Sequence, residues 1–197
     1  MKSRLAIFAS GSGSNAEAIM KYFQNHSTIE VVALASNRAD AFALERAKKF
    51  RMPTKVFDKN QFKESESVIK WLDEHKITHV VLAGFLLLIP TKLIEAFPNR
   101  IINIHPSLLP KFGGKGMYGL TVHQEVIKAG VKWSGPTVHI MDEIPDHGQI
   151  LAHVQVPVVE KEIDEAPALA ERILPIEHKL FWRVIAQQFG RGTHPNA

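Results

Sequence analysis

"RLAIFASGSGSN", Arg4 to Asn15, decides the fold: an apolar run closes on alternating serines and glycines, and a helical pattern follows at once. Apolar residues without polar alternation are what a strand buried on both faces requires. Glycines after such a strand let the backbone take unusual angles and approach a ligand closely. The helix predicted from Asn15 to Gln24 would point its free N–H groups at the same place, where an anion is favoured. Ser14 or Asn15 could instead serve only as the helix cap.

The same alternation continues outward. "IEVVALAS", "TKVF", "THVVLAGF" and "RIINIH" read as further strands. Between them, helical spacing predicts Ala41 to Phe50, Gln61 to His75 and Pro90 to Ala96. Strands alternating with helices imply an α/β, Rossmann-like fold: a mostly parallel twisted sheet with helices on both faces. After His105 the texture changes. "PSLLPKFGGKGMYGL" predicts a long loop, Thr121 to Ala129 a helix, and "GPTVHIM" with "ILAHVQVPV" a hairpin-like pair, an antiparallel C-terminal addition. Ala166 to Phe189 reads as a helix that Pro175 should kink or interrupt, and "GRGTHPNA" as an exposed tail. Without repeat, linker or low-complexity stretch, residues 1–197 read as one domain.

Composition narrows the function classes. With 45% hydrophobic and 22% charged residues, the chain is ordinary globular protein. The absence of cysteine excludes a disulfide framework and a thiolate nucleophile or metal site. The longest apolar run, "HVVLAGFLLLIP", is broken by Gly84 and closed by Pro90, so no membrane span is expected, and neither is a secretory leader. A cytoplasmic location is the default. A net charge of +4, scattered among glutamates, reads as a solvated surface rather than a nucleic-acid stripe, and a modest positive field would suit a small anionic substrate.

In open parallel sheets ligands bind beyond the carboxyl ends of the strands. "NIHPSLLP", Asn103 to Pro110, lies there. Asn103 and His105 are two apart in a strand, so both project from one face, where an amide and an imidazole could polarise one carbonyl. A carboxylate would complete the set. "HIMDEIPDHGQIL" offers Asp142, Glu143 and Asp146, among which spacing cannot choose. Gly11-x-Gly13-x-x-Ala16 also fits a dinucleotide fingerprint, with Arg38 available for a 2′-phosphate, so an NADP reductase is one alternative. A phosphate-sensing module without turnover is another.

"SGSGSN", "VLAGF", "NIHPSLLP", "GPTVHIMDEIPDHGQIL" and "IEH" together resemble the phosphoribosylglycinamide formyltransferases, in the family's order from Leu5 to about Ile185. The resemblance implies formyl transfer from 10-formyltetrahydrofolate, a co-substrate, to the amine of phosphoribosylglycinamide in purine biosynthesis, without a metal. The length of the chain favours these enzymes over the methionyl-tRNA formyltransferases, which carry an extra C-terminal domain. Asn103, His105 and Asp146 then match the catalytic residues, with Asp146 keeping His105 charged. Gly13, Ser14 and Asn15 match the phosphate loop, and Glu177 the acid that holds the ribose. Leu86, Leu87, Leu88 and Ile89, with Asn103 and with Met141, Asp142, Glu143, Ile144, Pro145 and Asp146, match the folate site. A monomer or homodimer is implied. Where the family often carries a basic residue after "AGF" and an arginine in the third helix, this chain has Leu87 and Ser65; Lys63 is a candidate for the contact with the folate's glutamate tail.

Overall fold

A computed structural model describes residues 2–159 and 165–190. The elements, in chain order, are β1 (Ser3–Phe8), α1 (Ser14–Phe23), β2 (Ile29–Ser36), α2 (Phe42–Lys49), β3 (Thr54–Val56), α3 (Lys59–Glu64), α4 (Glu66–Glu74), β4 (His79–Leu82) and α5 (Thr91–Ala96). They continue with β5 (Ile101–His105), α6 (Leu120–Lys128), β6 (Trp133–Ser134), β7 (Thr137–Ile140), β8 (Ile150–His153), β9 (Val156–Pro157) and α7 (Ala166–Phe189). Seven strands form one sheet in the order β3-β2-β1-β4-β5-β7-β8. The pairings from β3 to β5 are parallel, and β7 and β8 add antiparallel to that edge. The α/β expectation and its antiparallel addition therefore hold.

The chain order reverses between β1 and β4, the switch point at which such sheets open a crevice. Two apolar layers sandwich the strands. Leu5, Ile7 and Ile102 pack with α1, α2 and α7 on one face, and Ala6, Phe8 and Ile101 with α3, α4 and α5 on the other. Burial on both faces explains why these strands carry no polar alternation.

Three local expectations are corrected. The helix predicted over Gln61 to His75 is two helices. Asp58 caps α3 in a reciprocal capping box with Gln61, and Ser65, at φ 69, ends α3 and starts α4. "ILAHVQVPV" is also two strands: β8 stays on the main sheet, whereas β9 pairs with β6 in a separate two-stranded sheet. Pro175, finally, does not interrupt α7, which runs on through it. It sits on an exposed stretch of that helix, so the carbonyl it leaves without a donor can be solvated. Of the tail read at "GRGTHPNA", residues 191–197 lie outside the described residues.

Candidate active site

Beyond the carboxyl ends of β1, β4 and β5 lies a cleft of ≈ 880 Å³, a volume typical of small-molecule sites. Its floor begins with the loop after β1. Gly13 is the N-cap of α1 at φ 72, with no side chain to satisfy the first N–H groups of the helix. A Cβ there would lie 2.5 Å from the Ala43 Cβ, so glycine is required both for the turn and for the approach of α2. The loop is held from behind, where Ala43 N–H donates to Gly11 O (3.1 Å) and Arg46 Nε to Ser12 O (2.8 Å).

Neither Ser14 nor Asn15 caps the helix, so the purely structural reading of that loop fails. Asn15 Nδ2 instead donates to Glu177 Oε2 on α7 at 2.7 Å, and Asn15 Oδ1 is buried without a partner among the described residues. Burial pushes the Glu177 carboxyl above its ordinary pKa, and the Asn15 amide works against that shift. An open helix start and a buried polar pair thus share one end of the cleft.

At the centre, register does what spacing alone could not. In the antiparallel β5–β7 pair, Asn103 stands opposite His139 and His105 opposite Thr137. Asn103 Nδ2 lies 3.1 Å from His139 Nε2. The other ring nitrogen of His139 lies 3.1 Å from Ile140 O, an acceptor, which places the proton on Nδ1 and leaves Nε2 to accept from Asn103. One N–H of the Asn103 amide remains to be given elsewhere. Asp146 reaches in from the turn between β7 and β8, its Oδ2 3.5 Å from His105 Nδ1 and its Oδ1 3.5 Å from His139 Nε2. Asp146 is thus the carboxylate that links His105 of β5 to His139 of β7, the partner of Asn103. Asp142 is occupied nearby, accepting from Ile144 N–H at 2.9 Å to shape the turn.

His105 is buried, and its Nε2 lies 2.7 Å from Phe112 O, a contact that only Nε2–H can make favourable. Burial lowers the pKa of the ring, and Asp146 and the Phe112 carbonyl only partly oppose it. Burial thus works against the charged ring expected from sequence, while Asp146, 3.5 Å from Nδ1, works in its favour. For Asp146 burial acts upward, but the His139 and His105 rings beside it and the Gly114 N–H that donates to Oδ2 at 2.9 Å outweigh burial and hold it below the usual carboxylate range. Its backbone is strained at φ 58.

The far wall is formed by Leu86, Leu87, Leu88 and Ile89 after β4, facing Met141, Asp142, Glu143 and Pro145. Ser10 fixes this wall to the loop after β1: its hydroxyl accepts from Leu86 N–H (2.9 Å) and donates to Asn37 Oδ1 (2.5 Å). Ile144 does not belong to the wall. It is 58% exposed at the apex of the Asp142 turn, which carries its side chain away from the cleft. Lys63 and Ser65 are absent from the lining as well. Ser65 is buried, with its hydroxyl donating to Phe62 O, and so cannot meet a substrate. Arg38, the hook for a 2′-phosphate, is exposed, paired with Asp40 (2.7 Å) and outside the cleft.

Sequence reasoning missed three participants. His139 orients Asn103, Phe112 O sets the proton on His105, and His123 of α6 lines the cleft with its pKa lowered to about 4 by burial and by His105. Alternation along "TVHIM" was the available signal for His139, but it names a partner only once the register with β5 is known. Among the described residues no group of three or more His, Asp or Glu side chains is placed to hold a metal ion.

An open helix start beside a convergent amide, imidazole and carboxylate, at the switch point of a doubly wound sheet, defines a class: α/β proteins that bind an anionic substrate and work on a polar group next to it. Within that class, the chain belongs to the formyl transferase family, whose sequence profile matches residues 3–185. Arabidopsis thaliana has a relative described as chloroplastic phosphoribosylglycinamide formyltransferase, 41% identical over 190 residues, which are 93% of this chain and 64% of that protein. The chain thus spans just under two thirds of that plant relative. The phosphoribosylglycinamide formyltransferase of Bacillus subtilis (strain 168) is 35% identical over 192 residues, 95% of each chain. Among solved structures, the Brucella melitensis protein of that description superposes with a TM-score of 0.85 at 38% identity, over 98% of each chain.

Proposed function

We infer that this chain transfers the formyl group of 10-formyltetrahydrofolate to the amine of phosphoribosylglycinamide, a step in the biosynthesis of purines (IMP). The observation that carries the reading is the meeting of Asn103, His105 and Asp146 in the cleft that also holds the open start of α1. The phosphate of the ribonucleotide takes the N–H groups of Gly13, Ser14 and Asn15, and its ribose hydroxyls meet Glu177. The folate ring lies between Leu86–Ile89 and the segment Met141–Asp146, through backbone groups and apolar contact.

The free amine attacks the formyl carbon, and the formyl oxygen gains charge as the carbonyl bond opens. Asn103 gives it the N–H that His139 leaves free, and losing one such donor typically costs ~3 kcal/mol. The protonated His105 ring adds positive charge beside the same oxygen, and Asp146, at its Nδ1, stabilises that charge. The proton released by the attacking nitrogen passes, with the help of Asp146 and water, to the departing folate nitrogen as the carbon–nitrogen bond breaks. No net proton is consumed.

One formyltransferase domain over 1–197 belongs to this reading, its N-terminal half holding the ribonucleotide and its C-terminal half the folate. So do a monomer or homodimer, small-molecule partners only, and a cytoplasmic setting; among the described residues no helix is long and apolar enough to cross a membrane. Incubating the protein with phosphoribosylglycinamide and a 10-formyl folate and following formyl loss by absorbance tests it. Turnover that collapses in His105→Ala and Asp146→Asn supports the assignment. Anion binding without turnover would replace it with a sensing role, and a nicotinamide-dependent signal with a reductase.

A further inference from the structure

The lining of the cleft has an uneven charge. Five acidic residues face it, Asp142, Glu143, Asp146, Glu171 and Glu177, whereas Lys115 is the sole lysine or arginine among the described lining residues. Both substrates of the proposed reaction are anions, one through a phosphate and the other through the carboxylates of its glutamate. A cleft whose charged side chains are mostly acidic repels both, and the N–H groups at α1 answer only for the end they face.

Lys115 is exposed and makes no ion pair with any described residue. Its place in the chain is nevertheless fixed. The preceding residue, Gly114, donates its N–H to Asp146 Oδ2 at 2.9 Å, and Met117 N–H turns back onto Gly114 O at 3.1 Å. The backbone of Lys115 is thereby tethered one residue from the catalytic carboxylate, with an unengaged ammonium on a flexible stem. The two residues to which a tail contact could be ascribed from sequence, Lys63 and Ser65, do not line the cleft.

We propose that Lys115 is a substrate-binding and specificity-determining residue, whose ammonium closes over an oxyanion group, phosphate or carboxylate, carried by one of the two substrates. The assignment rests on the reading of the cleft as a formyltransferase site. Being partly solvated, such a contact is worth about tenfold in apparent affinity.

The test uses the full chain as wild type, Lys115→Ala and Lys115→Arg. Lys115→Ala is expected to raise KM for one substrate about tenfold with kcat changed by less than about twofold, the pattern of a contact made equally in ground and transition states. Lys115→Arg should recover most of the loss. A rise for the ribonucleotide together with weaker inhibition by inorganic phosphate identifies the phosphate. A rise for the folate that vanishes with an analogue lacking the glutamate identifies the carboxylate. Unchanged KM for both substrates, or an arginine variant as impaired as alanine, overturns the proposal. If the wild type transfers no formyl group, the failure lies with the proposed reaction. Calorimetric titration with ribose 5-phosphate and with a monoglutamyl folate then reads Lys115 directly: weaker binding of either in Lys115→Ala supports the role, and unchanged binding of both overturns it.

Discussion

Two glycines only two residues apart in one loop should respond very differently to the same added methyl group. At Gly13 the backbone is left-handed, φ 72, and a Cβ would fall 2.5 Å from Ala43 Cβ and 2.7 Å from Ala43 Cα. At Gly11 a Cβ would meet nothing within 4 Å, and its φ lies outside the left-handed range. For Gly13→Ala the conformation costs about 1–2 kcal/mol and overpacking against α2 about 1–3 kcal/mol. Reduced freedom of the unfolded chain returns about 0.4–1 kcal/mol. The net expectation is roughly 2–4 kcal/mol, a large part of a typical domain's stability. Gly11→Ala should lie within about 1 kcal/mol of wild type. Urea unfolding followed by circular dichroism measures both, and formyl transfer measures the site, where Gly13→Ala should raise KM for the ribonucleotide more than for the folate. Equal destabilisation by the two variants would show that the clash with Ala43 and the left-handed turn do not govern this loop.

Asn103→Ala should lower kcat roughly a hundredfold by removing one oxyanion donor, with an unchanged circular dichroism spectrum; a loss under tenfold would separate Asn103 from the chemistry. Glu177→Gln removes a carboxylate whose pKa burial raises. Stability near pH 7 should hold or improve while KM for the ribonucleotide rises at least about tenfold, and steady-state kinetics beside thermal unfolding reads both. His79, buried with its ring centroid 3.9 Å from that of Phe189, has its pKa lowered to about 4 by burial and by Arg100. Its folded-state pKa lies below the unfolded value, so its contribution is complete above about pH 6.5 and is lost as pH falls toward 4, at up to about 1.4 kcal/mol per pH unit. Urea titrations at pH 7, 5.5 and 4.5 should show a shallower loss in His79→Gln than in wild type, and parallel slopes would refute it.

The parallel sheet was legible because burial on two faces leaves an unmistakable pattern, "VVALA" and "VVLAG". Asn103 and His105 were legible because strand alternation fixes their common face. What escaped depended on contacts distant in sequence. Nothing local to "FKESES" announces that Ser65 turns left-handed, although Asp58 and Gln61 hold a capping box that marks the true start of α3. The split of β8 from β9 follows from where β6 offers a partner. Carboxylate choice needed the fold of the β7–β8 turn, and the protonation of His105 needed Phe112 O, a backbone atom whose position no side-chain pattern encodes. Ile144 shares the sequence setting of its neighbours in the cleft wall, and only the Asx turn at Asp142 shows why its side chain leaves that wall.

The left-handed backbone of Asp146 carries a practical consequence for anyone evolving this scaffold. A non-glycine residue held there sacrifices on the order of 1–2 kcal/mol that glycine would not, and its carboxylate is partly desolvated besides. The contact with Gly114 N–H and the depressed pKa of the carboxylate offset that loss, so libraries screened for heat resistance alone should show little preference at position 146, whereas coupling the screen to growth without added purines should hold the aspartate in place.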